Sequence, residues 1–156
     1  MDISNKKGSK VGGLTIFLVI LMSVPTLSFA EECPQIRKTQ IAPKEFLIMQ
    51  NPLPLNDKNL KAAEKLFEKT AKPIACKTCH GITGNGVGDP GFESTPPSRN
   101  FTCTQTMQQL QDGQLFWIIK NGSKNTSMYA FSDLSNHQIW QLIHYVRTFA
   151  KLLIVT

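Results

Sequence analysis

The chain has 156 residues, 41% of them hydrophobic, and a formal net charge of +6. That length fits one domain, and the 17 Lys and Arg are spread without a basic run, which leaves no footprint for nucleic acid. No alternating strand pattern of useful length, no repeat and no low-complexity tract is present, so the fold class is all-α with long loops.

Lys6, Lys7 and Lys10 make a basic start. Leu14 to Met22 (LTIFLVILM) is apolar apart from Thr15, Pro25 breaks the run, and Ser28-Phe29-Ala30 has the small-x-small form of a cleavage site. This is the layout of a secretory signal peptide over residues 1–30, and it implies an exported protein. The apolar run is shorter than the ~20 residues of a membrane span. An uncleaved anchor is the alternative, because Val11, Gly12 and Gly13 can extend it, and membrane contact is expected only in that case. Removing 1–30 takes away three lysines and Asp2, which lowers the net charge from +6 to +4. Mild positive charge suits docking on an acidic partner, although a solvated face explains most of these lysines.

Residues 31–55 contain Pro34, Pro43, Pro52 and Pro54 and read as an extended N-terminal extension lying on a surface. The remainder, 56–156, reads as the domain. Asn56 or Asp57 can cap a helix running through KNLKAAEKLFEKTAK, where Leu60, Ala63, Leu66 and Phe67 recur at helical spacing. Pro73 stops it. Residues 81–104, rich in Gly, Pro, Ser and Thr, form a loop long enough to imply function. DGQLFWIIKN predicts a second helix over 112–121, closed by Gly122. A second loop covers 122–133. Ser135 and Gln138 form a capping box for the last helix, HQIWQLIHYVRTFAKLL, with Ile139, Leu142, Ile143, Val146 and Phe149 as its apolar stripe and Trp140 and Tyr145 at the flanks.

Chemistry concentrates in ACKTCHG, residues 75–81. C-x-x-C-H is the attachment signature of c-type haem. Two thiols, Cys76 and Cys79, add to the porphyrin vinyl groups as thioethers, and the two residues between them let both sulfurs reach one edge of the ring. His80 then lies beneath the iron. A zinc site needs a second pair of ligands, whereas Cys33 and Cys103 are isolated and His137 and His144 sit on a helix without a partner motif. A thioredoxin-like switch needs a βαβ pattern, which is missing.

If Cys76 and Cys79 go to a cofactor, Cys33 and Cys103 remain as a pair. A disulfide between them ties the extension to the loop beyond the motif; the alternatives are that both stay free or that each serves elsewhere. For the sixth iron position a methionine raises the potential and suits electron transfer. Met128 lies in a polar loop, in SMYAF, where nothing calls for a methionine in packing. Met107 reads as core filler, and His137 and His144 as surface or flank residues.

The chain resembles the bacterial periplasmic class I monohaem cytochromes c. The pieces that carry this are NPLP (51–54), KAAEKLF (61–67), CKTCHGITGNGVGDPG (76–91), PPSRNF (96–101), DGQLFWIIKNG (112–122) and LSNHQIWQLIHYVR (134–147). The resemblance implies three to four helices and long loops wrapped around one covalently bound haem c. Cys76 and Cys79 correspond to the anchors, His80 to the proximal ligand and Met128 to the distal one, so the metal is held by His80 and Met128.

The resemblance further implies a one-electron carrier, not an enzyme, working between donor and acceptor proteins that the sequence does not name. The alternatives are a haem subunit of a larger dehydrogenase or oxidase, and a haem sensor or enzyme with an open sixth position. Phe67 is expected against Leu142 and Tyr145. Trp117 and Phe131 are expected near the haem edge, unless core packing explains them. Pro90 either offers its carbonyl to His80 or is a turn residue. Lys77 and Lys124 either steer docking or are solvated. Departures from the family pattern are Ala63 in place of a glycine at the helix crossing, Tyr129 in place of a proline after the distal methionine, and the Lys72-Pro73-Ile74-Ala75 insertion.

Overall fold

A computed structural model describes Met1, residues 33–36 and residues 39–151. The signal peptide expected over 1–30 lies, Met1 apart, outside the described residues. The elements are α1 (Lys44–Leu47), α2 (Asp57–Lys65) continuing into a π turn (Leu66–Thr70), α3 (Lys77–His80), α4 (Thr104–Gln109), α5 (Asp112–Asn121) and α6 (Asn136–Lys151). Among the described residues there is no strand.

Local chemistry sets the ends of the long helices. The Asn56 side chain accepts the Asn59 N–H at 2.9 Å, so Asn56 is the cap of α2 and Asp57 sits in its first turn, where negative charge suits the helix dipole. The helix widens at its end, with the Ala71 N–H reaching the Leu66 carbonyl at 3.1 Å. At α6 the capping box forms in both directions. Gln138 N–H donates to Ser135 Oγ at 3.2 Å, and Ser135 N–H donates to Gln138 Oε1 at 2.9 Å.

The core lies where α2 and its π turn cross α6. Ala63 and Phe67 are fully buried there. The Phe67 ring lies 5.4 Å from those of both Tyr145 and Phe149, and Leu142 belongs to the same apolar cluster. From α5, Phe116 meets Trp140 of α6 with ring centroids 4.5 Å apart.

Two features depart from the sequence expectation. TQTMQQ folds into α4, a helix the sequence reading does not include. It has little apolar period, and Arg147 of α6 holds its end: Nη1 donates to the Met107 carbonyl at 3.0 Å and Nη2 to the Leu110 carbonyl at 2.6 Å. The extension is not wholly extended either, since α1 packs on α5. Gly113 makes the close approach possible, because a Cβ there would run into the Phe46 carbonyl. Buried Gln114 bridges the two segments, its Oε1 accepting the Ala42 N–H at 2.8 Å and its Nε2 donating to the Gln40 carbonyl at 3.1 Å. The Cys33–Cys103 disulfide forms as expected, with Cα atoms 5.7 Å apart.

Candidate haem site

The motif residues form α3, a single helical turn, with Cys76 as its N-cap. His80 N–H donates to the Cys76 carbonyl at 3.0 Å, and Gly81 N–H to the Lys77 carbonyl at 2.7 Å. Gly81 ends the turn at φ 76°, where its missing Cβ avoids Asn85 Oδ1 and the Val87 carbonyl. A three-residue separation on one turn brings the Cys76 and Cys79 side chains to the same side. Both thiols are free. Burial pushes the Cys76 thiol up to about 12, with neighbouring Cys79 adding to the rise. Burial, and then the Asp89 carboxylate, push Cys79 up as well. Reactive dithiols and metal thiolates need the opposite shift.

His80 is 8% exposed. Its Nδ1–H donates to the Arg99 carbonyl at 3.1 Å, which assigns the tautomer and leaves the Nε2 lone pair available. Burial pushes its pKa down to about 4, so the ring is neutral near pH 7. The ring of Phe101 stacks on it. The carbonyl partner is therefore that of Arg99, not Pro90, because the 81–104 loop folds back to present residue 99 to the ring.

Met128 comes from the 122–133 loop. That loop has no regular structure, yet several of its backbone groups are bonded. Met128 N–H donates to Thr126 Oγ1 at 3.1 Å, and its carbonyl accepts the Ser123 N–H at 3.1 Å. Ser127 N–H reaches the Thr95 carbonyl at 3.0 Å, which ties this loop to the one following the motif.

Between these parts runs a cleft with two adjoining lobes, one larger than the other. His80, Met128, Cys79 and Phe101 border both lobes. The smaller lobe is apolar and holds Cys76, Phe67, Phe131 and Leu142. The larger adds Ser94, Arg99, Gln114, Ser123 and Thr126. Among the described residues, Ser123 Oγ is the buried side-chain polar atom that lacks a hydrogen-bond partner.

A flat, largely apolar ring system fits this lining, with the Ser123 hydroxyl as a donor in the larger lobe. Both cysteines border the smaller lobe, Cys79 borders the larger as well, and the orphan hydroxyl sits in the larger one. Zinc does not fit: among the described residues no group of three or more His, Cys, Asp or Glu is placed to hold a metal ion.

The other sequence candidates lie elsewhere. His137 is exposed on α6, and His144 donates Nε2–H to the Leu53 carbonyl at 2.8 Å. Met107, 2% exposed, is core. Phe131 borders the cleft as expected, but Trp117 does not; Gln114, Leu115, Ile118 and Ile119 are the α5 residues facing it. Lys124 is exposed and Lys77 half-buried. Sequence reasoning missed the roles of Arg99, Phe101 and Ser123. PPSRNF had drawn notice only as a block, and a backbone acceptor carries no side-chain signal.

Comparison with known proteins identifies a family. The family model described as cytochrome C oxidase, cbb3-type, subunit III, matches residues 58–146. No curated protein matches the sequence. Among solved structures, a chain of the Kuenenia stuttgartiensis reducing HAO-like protein complex Kustc0457/Kustc0458 is similar at 24% identity and a TM-score of 0.48, covering 65% of this chain and 49% of that one. The present chain thus spans about half the length of that neighbour. The matched family covers more than half of the 156 residues and the structure is all helix and loop, so the chain belongs to this cytochrome c domain family and is a monohaem c-type cytochrome.

Proposed function

We propose that the protein is an exported one-electron carrier holding one haem c covalently through Cys76 and Cys79, with His80 and Met128 as axial ligands. The observation that carries this reading is that His80, with Nδ1–H engaged and Nε2 free, and Met128 border the same cleft beside both cysteines. Haem bound there supplies an Fe(III)/Fe(II) couple.

The chain's own residues bind, orient and exclude water. The two thiols anchor one ring edge. Arg99 fixes the imidazole so that its lone pair points one way. Phe67, Phe101 and Phe131 keep the surroundings apolar, which tunes the potential. Ser123 Oγ, buried and without a partner, would be available as a donor to a haem carboxylate. With both axial positions filled, no substrate reaches the metal, so the protein transfers electrons between donor and acceptor proteins and is not itself an enzyme. The accompanying arrangement is a cleaved leader over 1–30, an extension over 31–55 and the haem domain over 56–156, in the periplasm.

The test is Met128→Ala. Mass spectrometry of the exported protein should show one haem mass that survives denaturation in both wild type and variant. The variant should lose the weak near-infrared band of sulfur ligation and bind carbon monoxide when reduced. An unaltered spectrum removes Met128 from the iron and favours an open sixth position.

A second reading, a haem subunit of a larger oxidoreductase assembly, draws on the exposed Ile36, Ile41, Ile48 and Leu55 of the extension and on the oxidase subunit for which the matched family is described. The elution size of the protein in native extract separates the two, since a free carrier elutes alone.

A further inference from the structure

We infer that Gln35, in the N-terminal extension, is a positioning residue that sets the strength of the hydrogen bond on His80, and through it the reduction potential of the centre. This deepens the reading of His80 as an iron ligand and rests on it.

Gln35 is fixed from both sides. It lies two residues after Cys33, which is bonded to Cys103, and its own N–H donates to Thr106 Oγ1 at 3.0 Å. Its side-chain amide then pairs with the backbone of the 81–104 loop. Nε2 donates to the Ser98 carbonyl at 3.3 Å, and Oε1 accepts the Asn100 N–H at 2.8 Å and Arg99 Nη1 at 3.2 Å. The loop residue between those two backbone contacts is Arg99, whose carbonyl holds His80.

The Arg99 carbonyl and the Asn100 N–H belong to one planar peptide unit, which is trans. In a trans unit the N–H and C=O point in opposite directions. Gln35 Oε1 therefore pulls on one end of the plane while His80 Nδ1–H is held at the other. The bonds run in series, Gln35 Oε1 to Asn100 N–H, then Arg99 C=O to His80 Nδ1–H, and bonds in series polarise one another. A more polarised carbonyl is a better acceptor, and a better acceptor on Nδ1 makes the other ring nitrogen more basic. A more basic ligand favours the more positively charged ferric state and lowers the potential. A residue 45 positions before His80 thus acts on the metal without touching it.

The experiment uses full-length exported holoprotein. Gln35→Met removes both amide functions at similar length. Gln35→Glu keeps the acceptor and gives up the bond to Ser98. Midpoint potential is read by redox titration, and the hyperfine-shifted His80 ring protons by NMR of the ferric protein. Q35M should raise the potential and move the His80 resonances; Q35E should leave the potential at or below wild type. Unchanged potential and resonances in Q35M overturn the inference, as does an equal rise in both variants, which would mean general loosening. Should Q35M not mature, Gln35→Asn, one methylene shorter, is read in the same way: a raised potential supports the inference and an unchanged one overturns it. If wild-type His80 shows no hyperfine shift, the ligand reading itself fails and the inference falls with it. If the shift is present but unmoved in Q35M, only the role of Gln35 fails.

Discussion

The ring of Phe101 lies over that of His80, with centroids 4.5 Å apart and planes 22° from parallel. The same side chain is 8% exposed and lies 6.5 Å from the rings of Phe67 and Phe149. Its N–H donates to the Gly84 carbonyl at 2.7 Å. One aromatic residue thus clamps an irregular loop onto the core and backs the imidazole. Phe101→Ala is expected to cost about 3–5 kcal/mol of stability, the range for a buried phenylalanine. Denaturant unfolding followed at the haem absorbance measures this. A loss near zero would mean that the loop is held by its backbone bonds alone.

The four cysteines divide into two roles that one pair of variants separates. Cys33 and Cys103 close a loop with a sequence separation of 70, so the bridge stabilises by about 4 kcal/mol in the chain-entropy treatment. The double variant C33S/C103S should keep its covalent haem, unfold at lower denaturant and lose protection from proteolysis over 33–43. Variants C76S or C79S should instead lose a thioether. Loss of haem attachment in C33S/C103S would contradict the division.

What was legible in the sequence is what local chemistry decides. Asn56 and Asn59, and Ser135 and Gln138, are three residues apart, so their caps can be read from a short window. C-x-x-C-H is similarly self-contained. Helix α4 was not legible, because the group that holds its end, Arg147, lies 40 positions beyond Met107. Arg99 was missed for a related reason: any residue can offer a carbonyl, and only the path of the loop decides that residue 99 and not Pro90 meets His80. Trp117 shows the cost of reading residue type without face. Leu115, Ile118 and Ile119 share the cleft side of α5 at helical spacing, and position 117 falls off that stripe.

Arg147 joins three elements. Its Nε donates to Asp112 Oδ1 at 2.6 Å at the head of α5, and its two other nitrogens hold the carbonyls of Met107 and Leu110. The pair is only partly exposed, 28% and 24% by side chain, so water screens it incompletely. Arg147→Met leaves a carboxylate and two carbonyls short of donors and is expected to cost about 2–3 kcal/mol. Arg147→Lys should recover a minor part, because an ammonium cannot reproduce the planar fork. Thermal unfolding of the three proteins gives the order wild type, Lys, Met. Equal stability of Lys and wild type would show that charge alone matters here.

Ser123 gives a prediction whose sign is informative. Ser123 is 5% exposed, borders the larger lobe and has no partner for Oγ. A buried hydroxyl left unpaired is a liability, so with nothing to bond, Ser123→Ala would be neutral or stabilising. If a haem carboxylate accepts from it, the same change removes a charge-assisted bond and costs about 1–3 kcal/mol. The holoprotein is therefore expected to be less stable as S123A, measured by denaturant midpoint at the haem absorbance. Equal or greater stability of S123A would place the carboxylates away from this lobe.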